Sequence, residues 1–186
     1  MLIIRNLIIL VALFPILPFL CVLFLIIIIE DGMPAIFIQE RVGFQKKVFR
    51  LLKVRTMKNN TLQAGTHDVD QNQVLRCGKI IRKIKLDEFL QLINVIKGDI
   101  NLVGPRPSLA NQTELVLERD KLDIYAIKPG ITGLSQVCGY DMSNPKKLAF
   151  VDNIYIKHQS FVLDFKILVS TFTGIFKKDL KKRFSI

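Results

Sequence analysis

A long apolar segment near the start of the chain is its clearest pattern. Residues 7–29 form a run of 23 positions without a charged side chain. At a rise of ~1.5 Å per residue, a straight helix of this length would cross a lipid bilayer. Pro15 and Pro18 interrupt the run. Because each proline removes a backbone donor and crowds the preceding turn, we expect a bend there.

Two topologies fit this segment, a kinked helix that spans the membrane and a helical hairpin that enters one leaflet and returns. Charge favours the hairpin, since Arg5 precedes the run and a basic stretch follows it, which suggests that both flanks stay in the cytoplasm. Prolines are nevertheless tolerated in spanning helices. The apolar pattern taken alone therefore favours the spanning helix.

Shorter apolar stretches after the run predict a small hairpin and several helices. Residues 35–38 and 48–54 read as two strands with Gly43 in or near the turn. Polar residues 59–73 lack periodicity and predict a loop. Helical spacing or composition then predicts helices over residues 78–85, 86–96, with Gly98 as a stop, and 112–123. Rigid turns are expected at residues 102–107 and 128–133.

The last apolar stretch, residues 161–176, predicts a helix that a basic tail follows. Such a helix could lie on an anionic membrane surface. It could equally be a core helix with a solvated charged tail. The sequence leaves both interpretations open.

Composition narrows the class of protein without choosing a partner. A chain of 186 residues suits one domain with a core, and a net charge of +11 favours anionic partners. The three scattered cysteines indicate a reducing compartment, and no His/Cys cluster has the spacing of a zinc site. No nucleic-acid-binding motif accompanies the charge, so nucleic acid is not an expected partner.

Asp87 and Glu88 are the first candidates for chemistry. Acidic residues at a helix start can simply cap free N–H groups and complement the helix dipole. In phosphoryl transfer, however, one carboxylate can attack phosphorus and its neighbour can hold Mg²⁺ together with substrate phosphate. Two carboxylates repel a diphosphate, so a metal ion and nearby arginines would be required.

Other candidates are less distinctive. Arg106 lies between two prolines, which would hold it on a stiff turn. Its guanidinium could bind phosphate there, or the residue could simply be an exposed arginine. Lys53 and Arg55 would share one face of a strand, where a lysine can also protect a strand edge. Gly133 could let the backbone approach a nucleotide, although no phosphate-loop pattern surrounds it. Asp152 is uninformative by itself.

Four stretches in order resemble the monotopic phosphoglycosyl transferases, the bacterial sugar transferase family. They are IFIQERVGFQKKVFRLLKVRTM, IRKIKLDEFLQLINVIKGDINLVGPRPS, KPGITGLSQVCG and FVDNIYIKHQSFVLDFKIL. The second stretch is highly specific, and the resemblance runs from about residue 18 to residue 168. The length is similar to that of small members that contain only the catalytic domain.

The resemblance implies a fold and a location. We expect an α+β protein, mainly helical with a small β-hairpin, held monotopically in the bacterial inner membrane. Residues 1–33 would form a re-entrant helix bent at Pro18, with Pro15 as a further break. Residues 34–186 would form a catalytic domain on the cytoplasmic face, with interfacial amphipathic helices and a basic amphipathic tail.

The resemblance also implies a reaction. Asp87 would attack a UDP-sugar and carry the sugar phosphate covalently while UMP leaves, and polyprenol (undecaprenyl) phosphate would then accept the group. Glu88, with Asp87, would bind Mg²⁺. The matching positions expected to contact or surround substrate are Arg82, Arg106, Lys53, Arg55, Asp152 and Gly133.

Two departures from the family pattern stand out. Leu17 replaces the serine that usually precedes the proline of the bend, and Tyr140 follows Gly139 where relatives have an arginine. The second change puts nucleotide affinity in question and suggests an alternative, a catalytically impaired relative that acts as a scaffold. A membrane-tethered nucleic-acid-binding protein is the other alternative. The sequence does not specify the sugar, the glycan pathway or the oligomeric state.

Overall fold

The computed structural model describes residues 11, 14–59, 61 and 71–186, which are mainly helical. Their α-helices are α1 (Leu17–Asp31), α2 (Arg76–Lys83), α3 (Gln91–Lys97), α4 (Thr113–Lys121), α5 (Leu134–Cys138), α6 (Pro145–His158), α7 (Phe161–Thr173) and α8 (Lys177–Phe184). Their strands are β1 (Ile36–Val42), β2 (Val48–Val54), β3 (Asn101–Val103) and β4 (Gly130–Thr132). The predicted α+β class, mainly helical with a small hairpin, is confirmed.

The chain divides into two compact units. Unit 1 comprises residues 1–39 and 50–97, and unit 2 comprises residues 40–49 and 98–186. The apolar helix thus groups with the segment that contains Asp87. The predicted division into residues 1–33 and 34–186 concerns the membrane boundary, which these units do not test, and it stays a prediction.

Helix α1 begins at the two prolines. A 3₁₀ turn, Phe14–Ile16, contains Pro15, and Pro18 lies in the first turn of α1, where a missing N–H costs little. The segment Phe14–Asp31 is long and apolar enough to cross a membrane, by length and composition. Residues 1–10, 12 and 13, which would hold the first limb of a hairpin, lie outside the described part of the chain.

The predicted hairpin is confirmed, with a longer first strand than expected. Strands β1 and β2 form a two-stranded sheet. Gly43 precedes the turn, and its backbone N–H donates to the Lys47 carbonyl at 2.9 Å. A side chain at Gly43 would meet the Phe49 ring at 2.8 Å, so glycine is needed for this close approach. Most of the predicted loop at residues 59–73 lies outside the described residues.

The predicted helix over residues 86–96 is wrong at its start. Lys85 adopts a left-handed conformation with φ +57°, and Leu86–Glu88 then form a 3₁₀ turn. Helix α3 begins only at Gln91 and ends before Gly98, whose φ of +84° is the expected stop. The periodicity misleads because bonds to residue i−3, such as Phe89 N–H to Leu86 O, replace the α-helical pattern in this turn.

Two glycine-containing loops of unit 2 pack backbone to backbone. Strands β3 and β4 pair in parallel, with Asn101 opposite Gly130 and Val103 opposite Thr132. A Cβ on Gly130 would lie 2.1 Å from the Gly104 nitrogen, so no larger residue fits there. The two turns predicted from their prolines and glycines therefore meet at the ends of this small sheet.

Helix α7 has an apolar face in the core and another exposed. Leu163 and Ile167 are fully buried in the core cluster of unit 2. On the outside, Phe161, Phe165 and Phe172 are 86%, 55% and 71% exposed. The sequence offered a core helix or a surface helix, and α7 combines features of both.

Candidate active site

Asp87 and Glu88 project from the short 3₁₀ turn that precedes α3. The left-handed Lys85 reverses the chain just before them, and both carboxylates are half-buried. A 3₁₀ turn is a poor continuation of a helix, and short segments of this kind occur as connectors. The two acids therefore lie on a connector between α2 and α3.

Two basic side chains accompany these carboxylates within unit 1. Lys53, on β2, forms an ion pair with Glu88 at 3.6 Å, and the two side chains are only 14% and 19% exposed. Arg82, near the end of α2, is half-buried and interacts electrostatically with Asp87. The structure thus brings together four of the predicted site residues, Asp87, Glu88, Lys53 and Arg82.

Thr56 orients Arg82. The Arg82 Nε–H donates a hydrogen bond of 2.8 Å to Thr56 Oγ1. The Thr56 carbonyl also accepts from Leu75 N–H at 3.0 Å, just before α2. A Cβ on Gly78 would lie 2.3 Å from that carbonyl oxygen, so α2 approaches the chain at Thr56 only because residue 78 is glycine.

The groups around Asp87 shift its pKa in opposite directions. Burial raises the pKa of Asp87 above its usual range, Lys53 lowers it, Glu88 raises it and Arg82 lowers it. Burial lowers the pKa of Arg82, while Asp87 acts against that shift. Asp87 is therefore a partly desolvated carboxylate, which is a more reactive nucleophile than a solvated one.

The two carboxylates suit a divalent cation that substrate phosphate completes. Among residues 11, 14–59, 61 and 71–186, no group of three or more His, Cys, Asp or Glu side chains has the arrangement of a metal site. Mg²⁺ commonly binds proteins through one or two carboxylates together with phosphate oxygens and water. Such an ion would also relieve the repulsion between the Glu88 and Asp87 carboxylates.

Arg55 has a different environment from the one predicted. Its side chain is 4% exposed and donates to the Gly32 carbonyl at 2.7 Å. It also bonds to Asn59 and lies 3.5 Å from the Asp31 carboxylate. Arg55 thus fixes the segment that follows α1, and its contact with substrate stays a prediction.

The remaining predicted residues belong to unit 2, where Asp152 is part of a buried network. Asp152 is 1% exposed, and its Oδ2 accepts two bonds from the Arg119 guanidinium at 2.6 and 3.1 Å. Its Oδ1 accepts from the Ser135 hydroxyl at 2.9 Å. Arg119 then donates to the Arg106 carbonyl at 2.7 Å, which fixes the backbone of the loop that presents Arg106.

Gly133 also has a packing role in unit 2. A Cβ there would lie 2.3 Å from the Gly104 carbonyl oxygen. Glycine at this position lets two backbone segments touch, so this close approach accounts for the residue without a ligand. Contact of Gly133, Asp152 or Arg106 with substrate stays a prediction.

Sequence reasoning missed Thr56 and Arg119. Thr56 follows Lys53 and Arg55 in the stretch KVRTM, and its small uncharged side chain gives no sequence signal for a role at the site. Arg119 lies on a correctly predicted helix among other charged residues, and periodicity does not distinguish a buried arginine from a solvated one. A buried ion pair requires partners that are distant in sequence, here 33 residues apart.

Comparison with known proteins decides the family. A match to the family described as bacterial sugar transferase covers residues 3–178. The chain belongs to the bacterial sugar transferase family. The resemblance inferred from the four sequence stretches is therefore confirmed.

Individual relatives of this sugar transferase include proteins with named reactions. The sugar transferase EpsL of Bacillus subtilis is 39% identical over 143 residues, which are 77% of this chain and 70% of the relative. The undecaprenyl-phosphate galactose phosphotransferase of Salmonella typhimurium is 33% identical, over 81% of this chain and 35% of the relative. The UDP-glucose:undecaprenyl-phosphate glucose-1-phosphate transferase of Caulobacter vibrioides is 33% identical, over 87% of this chain and 64% of the relative. The chain thus spans only about a third of the Salmonella enzyme.

Proposed function

We propose that this sugar transferase moves a sugar phosphate from a UDP-sugar to undecaprenyl phosphate. The observation that carries the proposal is the desolvated Asp87 carboxylate, with Lys53, Arg82 and Glu88 around it, in the same unit as the apolar helix α1. The relatives from Salmonella and Caulobacter are named for undecaprenyl phosphate and a sugar phosphate. The chemistry of the site and these names support the same reaction class.

The reaction would proceed in two displacements at one phosphorus atom. An Asp87 oxygen attacks the phosphorus that bears the sugar, the bond from that phosphorus to the bridging oxygen breaks, and UMP leaves. A phosphate oxygen of undecaprenyl phosphate then attacks the same phosphorus, and the Asp87 carboxylate is released. The product is an undecaprenyl-diphosphate sugar, and no oxidant or reductant is needed.

Residues of unit 1 would supply the electrostatics of this reaction. Arg82, which Thr56 orients, would bind the phosphate under attack, and Lys53 would keep Asp87 ionised. The charges of Lys53 and Arg82 are already balanced by those of Asp87 and Glu88, so a diphosphate adds uncompensated negative charge. Mg²⁺, bound by Glu88 with Asp87, would supply the missing positive charge.

The site would lie at the depth of the lipid headgroups. Ile80, on the helix α2 that also carries Arg82, is 65% exposed, and Ile84, directly after that helix, is 53% exposed. Exposed apolar side chains between lysines are typical of helices that lie in a membrane interface. A soluble donor and a lipid acceptor can both reach a carboxylate at that depth.

We further propose that α1 is the returning limb of a re-entrant hairpin on the cytoplasmic face of the inner membrane. Arg5 precedes the apolar run and a basic stretch follows it, which favours a hairpin with both flanks in the cytoplasm. The aromatic face of α7, followed by the basic helix α8, has the composition of a segment that rests on a membrane surface. These features support a monotopic protein over a spanning one.

Turnover of purified enzyme tests the proposal. Full-length protein in detergent, with Mg²⁺, undecaprenyl phosphate and a panel of UDP-sugars, should release UMP with at least one donor. Asp87→Asn and Glu88→Gln should each abolish release. The exposed acids Asp123 and Glu40 provide matched controls, and Asp123→Asn and Glu40→Gln should keep wild-type rates. Loss of UMP release in the controls, or its persistence in Asp87→Asn, would contradict the proposal.

A further inference from the structure

Two lysine ammonium groups lie close to the ring of Tyr140 in unit 2. The Lys147 nitrogen is 5.0 Å from the ring centroid, and the Lys181 nitrogen is 5.5 Å from it. Both distances fall within the range of cation–π attraction. The two lysines come from α6 and α8, and Tyr140 follows α5, so three separate segments of the chain meet there.

A third lysine completes the cluster. Gly139 ends α5 in the left-handed region, with φ +82°, and a Cβ at that position would lie 3.7 Å from the Lys177 nitrogen. Lys177 and Lys181 also act on the neighbouring Cys138 thiol, whose pKa burial raises and the two lysines lower. Tyr140 itself packs against the core of unit 2, which fixes the position of the ring.

These three positive charges have no acidic partner in the part of the chain that the structure describes. None of the three lysines forms an ion pair there. The acid on the helix of Lys177 and Lys181, Asp179, is bound to Lys166 at 2.9 Å. The ammonium groups of Lys147 and Lys181 are this close to one centroid and so are separated by no more than about the Debye length, ~10 Å at 0.1 M salt, and their repulsion is only partly screened. An anion that contacts these ammonium groups would offset that repulsion.

We propose that Lys147, Lys177 and Lys181 form a phosphate-binding site beside Tyr140. Each ammonium group offers three donors, and a phosphate offers several acceptor oxygens with up to two negative charges. The phosphate could belong to a nucleotide or to an anionic lipid headgroup, since both present the same chemistry. The site binds without catalysing, so it stands or falls separately from the transfer reaction proposed for Asp87.

Tryptophan fluorescence can report on this site alone, because the chain contains no tryptophan. Tyr140→Trp introduces a single reporter and retains an aromatic ring for the lysines. The full-length variant in detergent would be titrated with inorganic phosphate and with UDP. In a second arm, vesicles of phosphatidylglycerol would be compared with vesicles of phosphatidylcholine. Circular dichroism would verify that each variant folds.

The matched variants remove charge at the site or elsewhere. In the Tyr140→Trp background, Lys147→Glu with Lys181→Glu should weaken the response about tenfold or more. The milder pair Lys147→Gln with Lys181→Gln should weaken it in the same direction and serves if the glutamates prevent folding. Lys157→Glu, an exposed change on the same helix as Lys147, should leave the response intact.

The outcomes separate the two phosphate sources. A saturable response to UDP or inorganic phosphate that the lysine pairs abolish supports the site with a nucleotide or free phosphate. A response to phosphatidylglycerol vesicles alone, equally dependent on the lysines, supports it with a lipid headgroup. No response in any arm, a response that survives both lysine pairs, or an equal loss in Lys157→Glu would overturn the proposal.

Discussion

The Glu30 carboxylate, at the end of the apolar helix α1, accepts a hydrogen bond of 2.6 Å from the backbone N–H of Arg76. Its second oxygen accepts from Cys77 N–H at 3.1 Å. Both amides lie in the first turn of α2, where no backbone acceptor is available to them. A residue at the end of the proposed membrane segment thus caps the helix that carries Arg82.

Replacing this cap should weaken both stability and catalysis. Glu30→Ala should destabilise the protein by about 1 kcal/mol, since two backbone donors lose their partner. Because the start of α2 then frays, we expect kcat/KM to fall by up to about tenfold. Thermal unfolding and UMP release measure the two effects.

Two further variants, one a control and one of intermediate effect, test whether the loss in Glu30→Ala comes from the missing cap. Glu40→Ala removes an exposed carboxylate of the hairpin and should change neither quantity. Glu30→Gln keeps an oxygen acceptor and should fall between wild type and Glu30→Ala. Unchanged kcat/KM in a measurably destabilised Glu30→Ala protein would show that the cap does not position the site.

The raised pKa of Asp87 predicts the pH dependence of activity. Only the ionised carboxylate is a nucleophile, so kcat/KM should fall at acidic pH, at a higher pH than an ordinary aspartate would give. Lys53 lowers this pKa, and Lys53→Met should therefore move the acidic limb of the profile to higher pH. An acidic limb that stays in place in this variant would contradict the assigned role of Lys53.

The same shift predicts that Asp87 costs stability. Burial raises its pKa in the folded state above the ordinary 3.8, so the folded protein favours the protonated form. The stability that protonation adds is present below the unfolded pKa and is lost as pH rises through the folded pKa. At pH 7 without Mg²⁺, Asp87→Asn should therefore unfold at a higher temperature than wild type. That difference should vanish at low pH, and a less stable variant at pH 7 would contradict the account.

The buried pair of Asp152 and Arg119 predicts a stability effect. Asp152→Asn leaves the Arg119 guanidinium without a charged partner and should cost about 3–5 kcal/mol, measured by chemical unfolding. Ser135→Ala removes one hydrogen bond to Asp152 and should cost about 1 kcal/mol. If Asp152→Asn loses activity while its stability is unchanged, Asp152 acts by contact with substrate, as the family resemblance implied.

The exposed isoleucines at and just after the end of α2, Ile80 and Ile84, predict a defect in the use of the lipid substrate alone. Ile80→Ser with Ile84→Ser should raise the KM for undecaprenyl phosphate presented in vesicles by about tenfold, because apolar burial in the interface is lost. UMP release in the absence of acceptor should be unchanged. Leu117→Ser, at an exposed leucine of α4, is the matched control. An equal defect in acceptor-free UMP release would show that Ile80 and Ile84 support the fold of the site.

Local sequence patterns predicted the helices and strands of this protein better than they predicted the contacts between them. Alternation and turn chemistry located the hairpin, and Gly98 marked the end of α3. The start of that helix was wrong because the left-handed Lys85 follows from its surroundings and not from its own propensity. Asp87, Glu88 and Lys53 were candidates from the residues themselves, and the family resemblance added Arg82 and gave Asp87 and Glu88 their separate roles.

The structural roles of Arg55, Asp152 and Gly133 could not be read from the sequence. Arg55 and Asp152 depend on partners 23 to 33 residues away, and a charge pattern does not show which ions are buried together. Gly133 depends on a backbone contact with Gly104 that exists only in the folded chain. Residues that connect distant segments of the chain are therefore the ones that sequence patterns do not distinguish from ligand-binding residues.

The intact mass of the protein, after incubation with a UDP-sugar and Mg²⁺ but without lipid acceptor, tests the covalent mechanism most directly. The expected increase equals one sugar phosphate, and peptide mapping should locate it on Asp87. Adding undecaprenyl phosphate should remove it, and Asp87→Asn should never acquire it. An active enzyme that gains no such mass, or carries it on another residue, would contradict the proposed role of Asp87.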